Sequence, residues 1–254
     1  MDTRSERAYA VLVGAAYGDA LAMPTCGMTP EQITSVYGDF KELIDADASH
    51  TTMPGAPAGS VTEVTREILA EASALLGGSF SFPVAADDVH SPTDHTHARR
   101  CVLRAIPVGI ATSTQDPEAF ADAVWEACAE GPTTRQEFQA AALIAAFISI
   151  GLDWPDSRPM DIEGVLWETV NYVASMEPRG SWSAEPDALA TTRRAVNVVS
   201  CQRSMYFSEF TKAFGHPSTP TQIVPFALAF TLHVLLGFSP YVARLGGDTA
   251  SCSA

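Results

Sequence analysis

The chain has 254 residues, of which 46% are hydrophobic and 18% charged, and its formal net charge is −15 at pH 7. This composition is typical of a globular protein with one sizeable core and argues against a disordered chain. The negative charge disfavours nucleic acid and anionic membrane surfaces as partners, because both would repel the protein.

Helical periodicity dominates the sequence and strand-like alternation is nearly absent, which predicts an all-α protein. In chain order, helices are predicted over 6–22, 30–36, 61–76, 98–112, 117–130, 134–151, 161–176, 185–201, 206–214 and 221–237. Loops are predicted over 45–60 and 79–96. Pro107 lies inside one helical pattern, so we expect it to kink or break that helix.

No linker, repeat or low-complexity tract divides the chain, so residues 1–254 are expected to form a single domain. Near the end, the segment 245–249 predicts a turn into a new helix with Asp248 as its N-cap. The five residues that follow Thr249 are too few for a stable helix, which leaves open whether a C-terminal segment is missing.

The first residues are charged and of mixed sign, without the apolar region of a signal peptide. No apolar run reaches the roughly 18 residues that a membrane span needs. The cytoplasm is therefore the expected location. The five cysteines are widely spaced and form no CxxC pair, which argues against a disulfide framework and against a zinc site.

Four segments follow one another at ordinary spacing and carry distinctive Gly, Asp, Thr and Pro residues. They are Gly14–Cys26 (GAAYGDALAMPTC), Gly59–Thr65 (GSVTEVT), Cys101–Ile110 (CVLRAIPVGI) and a final pair, Val224–Leu228 (VPFAL) with Gly246–Ser251 (GGDTAS). Their order and content resemble motifs of the ADP-ribosylglycohydrolase family, usually GDALGMPTE, GxxTDDT, AMRxxPxG, and VPxAL with GGDTDT. The resemblance covers roughly residues 8–254 and implies a compact orthogonal helical bundle.

The resemblance also implies a reaction: hydrolysis of an N- or O-glycosidic bond to ribose, typically in ADP-ribosyl adducts, at a site with two Mg²⁺. Such ions prefer oxygen ligands, and a pair of them needs several carboxylates to balance its charge. By matched position, Thr62, Glu63, Asp248 and Ser251 would be metal ligands, and Glu63 and Asp248 the catalytic carboxylates. Asp19 and Cys26 would bind substrate. We expect all of these residues to converge on one cleft.

The sequence departs from the family motifs where the metal ligands would lie. Cys26 replaces the Glu of the opening motif, Val64 replaces the second Asp of TDDT, Ala250 replaces the second Asp of the last motif, and Ser251 replaces its final Thr. A thiol is a poor ligand for magnesium, and two carboxylates in place of about five would hold two Mg²⁺ poorly. Mg²⁺ is therefore the expected cofactor only if the site survives, and otherwise none is expected.

Several of these residues also have purely structural interpretations. Asp19 lies in an apolar helix and would then hydrogen-bond to backbone groups within the bundle. Asp248 would be an N-cap, and Glu63 a first-turn carboxylate favoured by the helix dipole. Cys26 would be a small core residue. Arg104, in the third motif, is expected to form an internal salt bridge rather than to contact substrate.

Three hypotheses about function remain. In the first, which we favour, the chain is a pseudoenzyme-like relative with an impaired dinuclear magnesium site, and it keeps a pocket for an ADP-ribose or nucleoside-like ligand. Its partner would be a ribosyl or ADP-ribosyl small molecule, or a protein carrying that group. In the second, it is an active glycosidic hydrolase with a single metal, or with a rearranged site that uses Glu63, Asp248 and Asp19. In the third, it is a non-catalytic structural or partner-binding protein.

Overall fold

A computed structural model of the chain describes residues 2–38, 40, 42–79, 96–202, 207–214 and 217–235. Within these ranges there are ten α-helices, and helix accounts for 67% of the structure. They are α1 (Thr3–Ala22), α2 (Pro30–Tyr37), α3 (Glu63–Leu75), α4 (Thr96–Ala111), α5 (Pro117–Ala127), α6 (Arg135–Leu152), α7 (Ile162–Ser175), α8 (Ala188–Cys201), α9 (Phe207–Phe214) and α10 (Pro220–Leu235). A 3₁₀ turn, Met23–Thr25, follows α1.

The prediction of an all-α protein is confirmed. Among the described residues no strand is present, and the only extended pairing is an isolated bridge between Thr134 and Ser181. None of the helices in this part of the chain is both long and apolar enough to cross a membrane.

The helices begin where capping side chains are available. Thr29 and Thr134 each form a capping box, with Gln32 and Glu137 respectively, so that two backbone N–H groups are satisfied at each start. α1 begins at Thr3, three residues before the predicted start, because the carboxylate of Asp2 accepts a hydrogen bond of 2.7 Å from the backbone N–H of Ser5. Capping of this kind stabilises a helix by about 1 kcal/mol.

Pro107 was expected to kink or break its helix, and it does not break α4. A proline inside a helix removes one backbone donor and costs about 3 kcal/mol. α4 nevertheless continues to Ala111, because it is a core helix that packs against α3, α5 and α6. Ala105 and Val108 on either side of the proline are buried, and this tertiary packing outweighs the local penalty.

α6 is the centre of the main core. Seven of its residues are completely buried: Leu143, Ser149 and five alanines, which are Ala140, Ala141, Ala142, Ala145 and Ala146. The small side chains allow α4, α7, α8 and α10 to pack closely around α6. A smaller apolar cluster joins α1, α3 and α4, with Ala15 and Ala22 packed near Val64, Ile68 and Ile106. This second cluster holds the first two motifs together.

The close contact of α4 with α6 at Gly109 yields a prediction about stability. A Cβ atom added at Gly109 would lie 2.4 Å from the carbonyl oxygen of Ala145, so Gly109→Ala should force the two helices apart. We expect a loss of about 1–3 kcal/mol in the free energy of unfolding, the usual range for overpacking.

The matched control is Gly14→Ala, also inside a helix, where a Cβ atom would meet nothing within 4 Å. It should stabilise the protein by about 0.5–1 kcal/mol, because alanine favours the helix. Urea denaturation followed by circular dichroism measures both changes. Equal effects of the two substitutions would contradict the α4–α6 packing described above.

Candidate functional site

Asp19 connects the first two motifs. It lies in the last turns of α1 with no solvent exposure. Its Oδ1 atom accepts a hydrogen bond of 2.7 Å from the hydroxyl of Thr62, and Oδ2 accepts one of 2.8 Å from the Thr62 backbone N–H. Oδ2 also accepts bonds from Thr65, at 2.6 Å from the hydroxyl and 3.3 Å from the backbone N–H.

These contacts place a buried carboxylate at the N-terminus of α3. Thr62 is the N-cap of this helix, and its hydroxyl oxygen accepts a further bond of 3.1 Å from the backbone N–H of Val64. The first turn of a helix has unpaired N–H groups and a positive dipole end, which together stabilise a negative charge. The structural interpretation of Asp19, hydrogen bonding to backbone inside the bundle, describes two of its four contacts, and the other two come from the hydroxyls of Thr62 and Thr65.

Glu63, the first residue of α3, faces a different environment. Its side chain is 57% exposed, and its Oε1 atom accepts a hydrogen bond of 2.5 Å from Nη2 of Arg99 in α4. Asp19 and Thr62, by contrast, are buried. Although Thr62 and Glu63 are adjacent in sequence, their side chains contact different partners. Thr62 contacts the buried Asp19, and Glu63 contacts Arg99 near the surface.

The Glu63–Arg99 contact belongs to a larger set of ion pairs, which we call the α3–α4 ion ladder. It consists of Glu63, Glu67 and Glu71 on one face of α3, Arg99, Arg100 and Arg104 on α4, and Glu130 after α5. Arg104 is its centre, with Nε 2.6 Å from Glu67 and Nη1 2.6 Å from Glu130. The predicted internal salt bridge of Arg104 is confirmed. Its hydrogen bond lowers the pKa of the Glu130 carboxyl.

Cys26 lies at the end of the 3₁₀ turn and is half-buried. It borders a cavity of about 230 Å³ between this turn, α2 and the loop that contains Asp47. Polar side chains around the cavity are those of Cys26, Gln32, Ser35, Tyr37, Asp47, Ser49, His50 and Thr51. Asp19, Thr62 and Glu63 do not line this cavity. Cys26 also packs against the smaller apolar cluster, which includes Val64 in the first turn of α3.

His50 holds one wall of this cavity and was missed by the sequence analysis. It is only 7% exposed, its Nδ1 accepts a hydrogen bond of 2.9 Å from the Met53 backbone N–H, and its Nε2 lies 3.0 Å from the carbonyl oxygen of Met23. Since Nδ1 accepts, Nε2 carries the proton and donates. His50 therefore ties a long loop to the opening motif. The sequence around His50 is rich in Ala, Asp, Pro and Gly, which predicts a loop but does not predict that His50 anchors it.

The structure thus brings some candidate residues together and separates others. Asp19 contacts Thr62 directly, Glu63 is adjacent but paired with Arg99, and Cys26 borders the cavity. Asp248 and Ser251 lie outside the described residues, so the expected convergence of the four motifs stays a prediction. In the described ranges, no three His, Cys, Asp or Glu side chains are grouped so that they could hold a metal ion.

Asp19 yields a prediction. Asp19→Asn replaces one acceptor oxygen with an amide that must face the donors of Thr62 or Thr65, and it removes the charge from the helix end. We expect a loss of about 3 kcal/mol in the free energy of unfolding, because a buried donor is left unpaired. Asp2→Asn, the same change at an exposed N-cap, should leave stability nearly unchanged, since Asn caps as well as Asp. Urea denaturation distinguishes the two outcomes, and equal losses would contradict the special role of Asp19.

The part of the chain that contains Asp19, Thr62 and Glu63 matches a known protein family. Residues 1–100 match the family model described as ADP-ribosylglycohydrolase. No curated protein matches the chain. The matched residues include the first two motifs, which Asp19 joins at the start of α3, and they agree with the family resemblance that these motifs predicted. The first 100 residues of the chain are thus similar to the ADP-ribosylglycohydrolase family.

Proposed function

We propose that this protein is a divergent ADP-ribosylglycohydrolase relative that binds a ribosyl or nucleoside-like ligand without a functional pair of magnesium ions. The observation that carries the proposal is that both described carboxylates of the family motifs have protein partners. Asp19 accepts four hydrogen bonds from Thr62 and Thr65, and Glu63 is paired with Arg99.

The described donor set does not fit two magnesium ions. Magnesium requires nearly octahedral oxygen ligation and gives up its water reluctantly. At the matched positions, Cys26 offers a soft sulfur and Val64, completely buried, offers no ligand atom. Using Asp19 as a ligand would cost hydrogen bonds that hold the start of α3. Without paired metals, the remaining carboxylates can provide only general acid–base assistance, about 10²- to 10⁴-fold.

The cavity beside Cys26 supports the ligand-binding part of the proposal. Its hydroxyl, amide and carboxylate groups are suited to the diol and base edges of a nucleoside. Its volume of about 230 Å³ is smaller than the sites of drug-sized ligands, which occupy about 300–1,000 Å³. We therefore expect the cavity to hold one ribosyl or nucleoside unit rather than a whole ADP-ribose molecule.

Ligand binding can be tested by thermal unfolding in metal-free buffer. Ribose, adenosine or ADP-ribose at tenfold excess over its Kd should stabilise the protein by about 1.4 kcal/mol. Ser35→Trp, which fills the cavity from α2, should abolish this effect. Thr34→Trp is the matched control, because Thr34 is also exposed on α2 but does not line the cavity. The absence of stabilisation by all three compounds would favour a structural or partner-binding protein instead.

Metal binding is tested by calorimetry with MgCl₂. We expect no occupancy of two sites at millimolar Mg²⁺, and much slower hydrolysis of ADP-ribosyl-arginine or -serine than by a family member with intact motifs. Two sites filling with micromolar affinity would refute this and favour an active hydrolase with rearranged ligands.

Restoring the missing carboxylates tests the same proposal in the opposite direction. Combining Cys26→Glu, Val64→Asp and Ala250→Asp restores the family carboxylates and should produce measurable Mg²⁺ binding. The control combines Cys26→Gln, Val64→Asn and Ala250→Asn, which have nearly the same shapes without charge and should not bind. Equal behaviour of the two triple variants would show that the loss lies elsewhere than in these three positions.

A further inference from the structure

We infer that Cys101 and Cys128 form a redox-active thiol pair, which hydrogen peroxide converts into a disulfide with His97 as the proton donor. Cys101 lies in the second turn of α4, and Cys128 is the C-cap of α5. Both thiols are free and buried. The Cys101 sulfur lies 3.6 Å from Nε2 of His97 and 3.9 Å from the carbonyl oxygen of Cys128. The inference does not depend on the proposed ligand or metal chemistry.

The two thiols lie within hydrogen-bonding reach of each other. A hydrogen bond with the Cys101 thiol, followed by burial, raises the pKa of the Cys128 thiol. Cys128 therefore keeps its proton while Cys101 is reduced. Because α4 packs against α5, the fold already holds the two cysteines side by side, and a disulfide requires only a local adjustment of their side chains.

His97 supplies an N–H donor to the Cys101 sulfur. The hydroxyl of Thr133 donates a hydrogen bond of 2.7 Å to the carbonyl oxygen of Cys128, and its oxygen lies 3.2 Å from Nε2 of His97. Because the single hydroxyl proton is used in that bond, the hydroxyl oxygen accepts from His97, and Nε2 carries a proton. The same N–H lies beside the Cys101 sulfur, where a donor stabilises negative charge.

Packing against the backbone after α5 fixes the imidazole in this position. A Cβ atom added at Gly131 would lie 3.0 Å from Nδ1 of His97, so the ring occupies the space that the glycine leaves. His97 is half-buried, whereas Cys101 and Cys128 are buried. Hydrogen peroxide, a molecule scarcely larger than water, would therefore reach the Cys101 sulfur past the imidazole.

The reaction consumes two thiols and one hydrogen peroxide. In the first step the Cys101 sulfur attacks a peroxide oxygen, the O–O bond breaks, and the leaving hydroxide departs as water with a proton from His97. The proton lost by Cys101 restores His97, and Cys101 becomes a sulfenic acid. In the second step the Cys128 sulfur attacks the Cys101 sulfur, and the displaced hydroxyl leaves as water with the Cys128 proton. Two electrons pass from the sulfurs to the peroxide.

The hydrogen bond between the thiols sets the order of these steps. It is the largest cause of the raised pKa of Cys128, and the first step removes the Cys101 thiol that makes it. Cys128 then gives up its proton more readily and attacks the sulfenic acid beside it. Cys101 is thus the thiol that meets peroxide, and Cys128 is the thiol that resolves the intermediate.

A purely structural pair of buried cysteines makes a different prediction. Buried cysteines in apolar surroundings are ordinarily inert. Cys201, the last residue of α8, is exposed, so exposure alone predicts that peroxide oxidises Cys201 first and leaves Cys101 and Cys128 reduced. The redox pair predicts the opposite order, and Cys201 serves as the control within the same molecule.

The test treats the full native chain with hydrogen peroxide, blocks the remaining thiols with N-ethylmaleimide in denaturant, and analyses tryptic peptides by mass spectrometry. Trypsin places Cys101 in the peptide 101–104 and Cys128 in the peptide 105–135, so the disulfide joins two peptides that a dithiol reductant separates. We expect the linked pair to form about tenfold faster than Cys201 is oxidised. If Cys201 is oxidised faster than the linked pair forms, the inference is wrong.

Variants test the separate roles of His97 and Cys128. Cys128→Ser should stop at the Cys101 sulfenic acid, which dimedone traps. His97→Asn, which removes the N–H near the sulfur, should slow the oxidation of Cys101 about tenfold, to the rate of an ordinary thiol. His97→Gln keeps an N–H at about the same distance and should retain most of the rate. Equal rates in the Asn, Gln and wild-type proteins overturn the role of His97, and the wild-type comparison with Cys201 stands even if a variant does not fold.

Discussion

A buried carboxylate at the start of α3 is the constraint on which this part of the molecule depends. Removing a charged group from water is costly unless hydrogen bonds replace its hydration. Asp19 meets this requirement with four donors from Thr62 and Thr65, residues that follow it by 43 and 46 positions. The chain between them must therefore return to α1, and α3 must begin where its free N–H groups can reach the carboxylate.

Once α3 is fixed at its N-terminus, the packing of its two faces follows. One face directs Val64 and Ile68 into the smaller apolar cluster with α1 and α4. Another carries the glutamates of the α3–α4 ion ladder, spaced four residues apart, so that each reaches an arginine of α4. α4 in turn packs against the alanine-rich centre of α6 at Gly109. Polar contacts at one helix end are thereby coupled to the main core.

The same arrangement bears on the chemistry that this site can support. A carboxylate that anchors a helix by four hydrogen bonds is a poor candidate for a metal ligand, because coordination would compete with folding contacts. Glu63 does not anchor the helix in this way, and its carboxylate forms an ion pair with Arg99 instead. The cavity near Cys26 depends on neither residue. It is built by the 3₁₀ turn, α2 and the loop that His50 ties to Met23, so the proposed ligand pocket does not depend on metal ligands at the start of α3.

The sequence by itself determined the features that depend on local spacing. The all-α class, most helix boundaries and the capping boxes at Thr29 and Thr134 follow from periodicity and from side chains within one turn. Motif order also indicated the resemblance to the ADP-ribosylglycohydrolase family, whose model matches residues 1–100. Only the tertiary structure decided that Pro107 lies within a continuous helix, that His50 anchors a loop, and that Glu63 pairs with Arg99. These outcomes depend on groups tens of residues apart in sequence, and a 3.6-residue period specifies which face is buried without specifying which partner meets it.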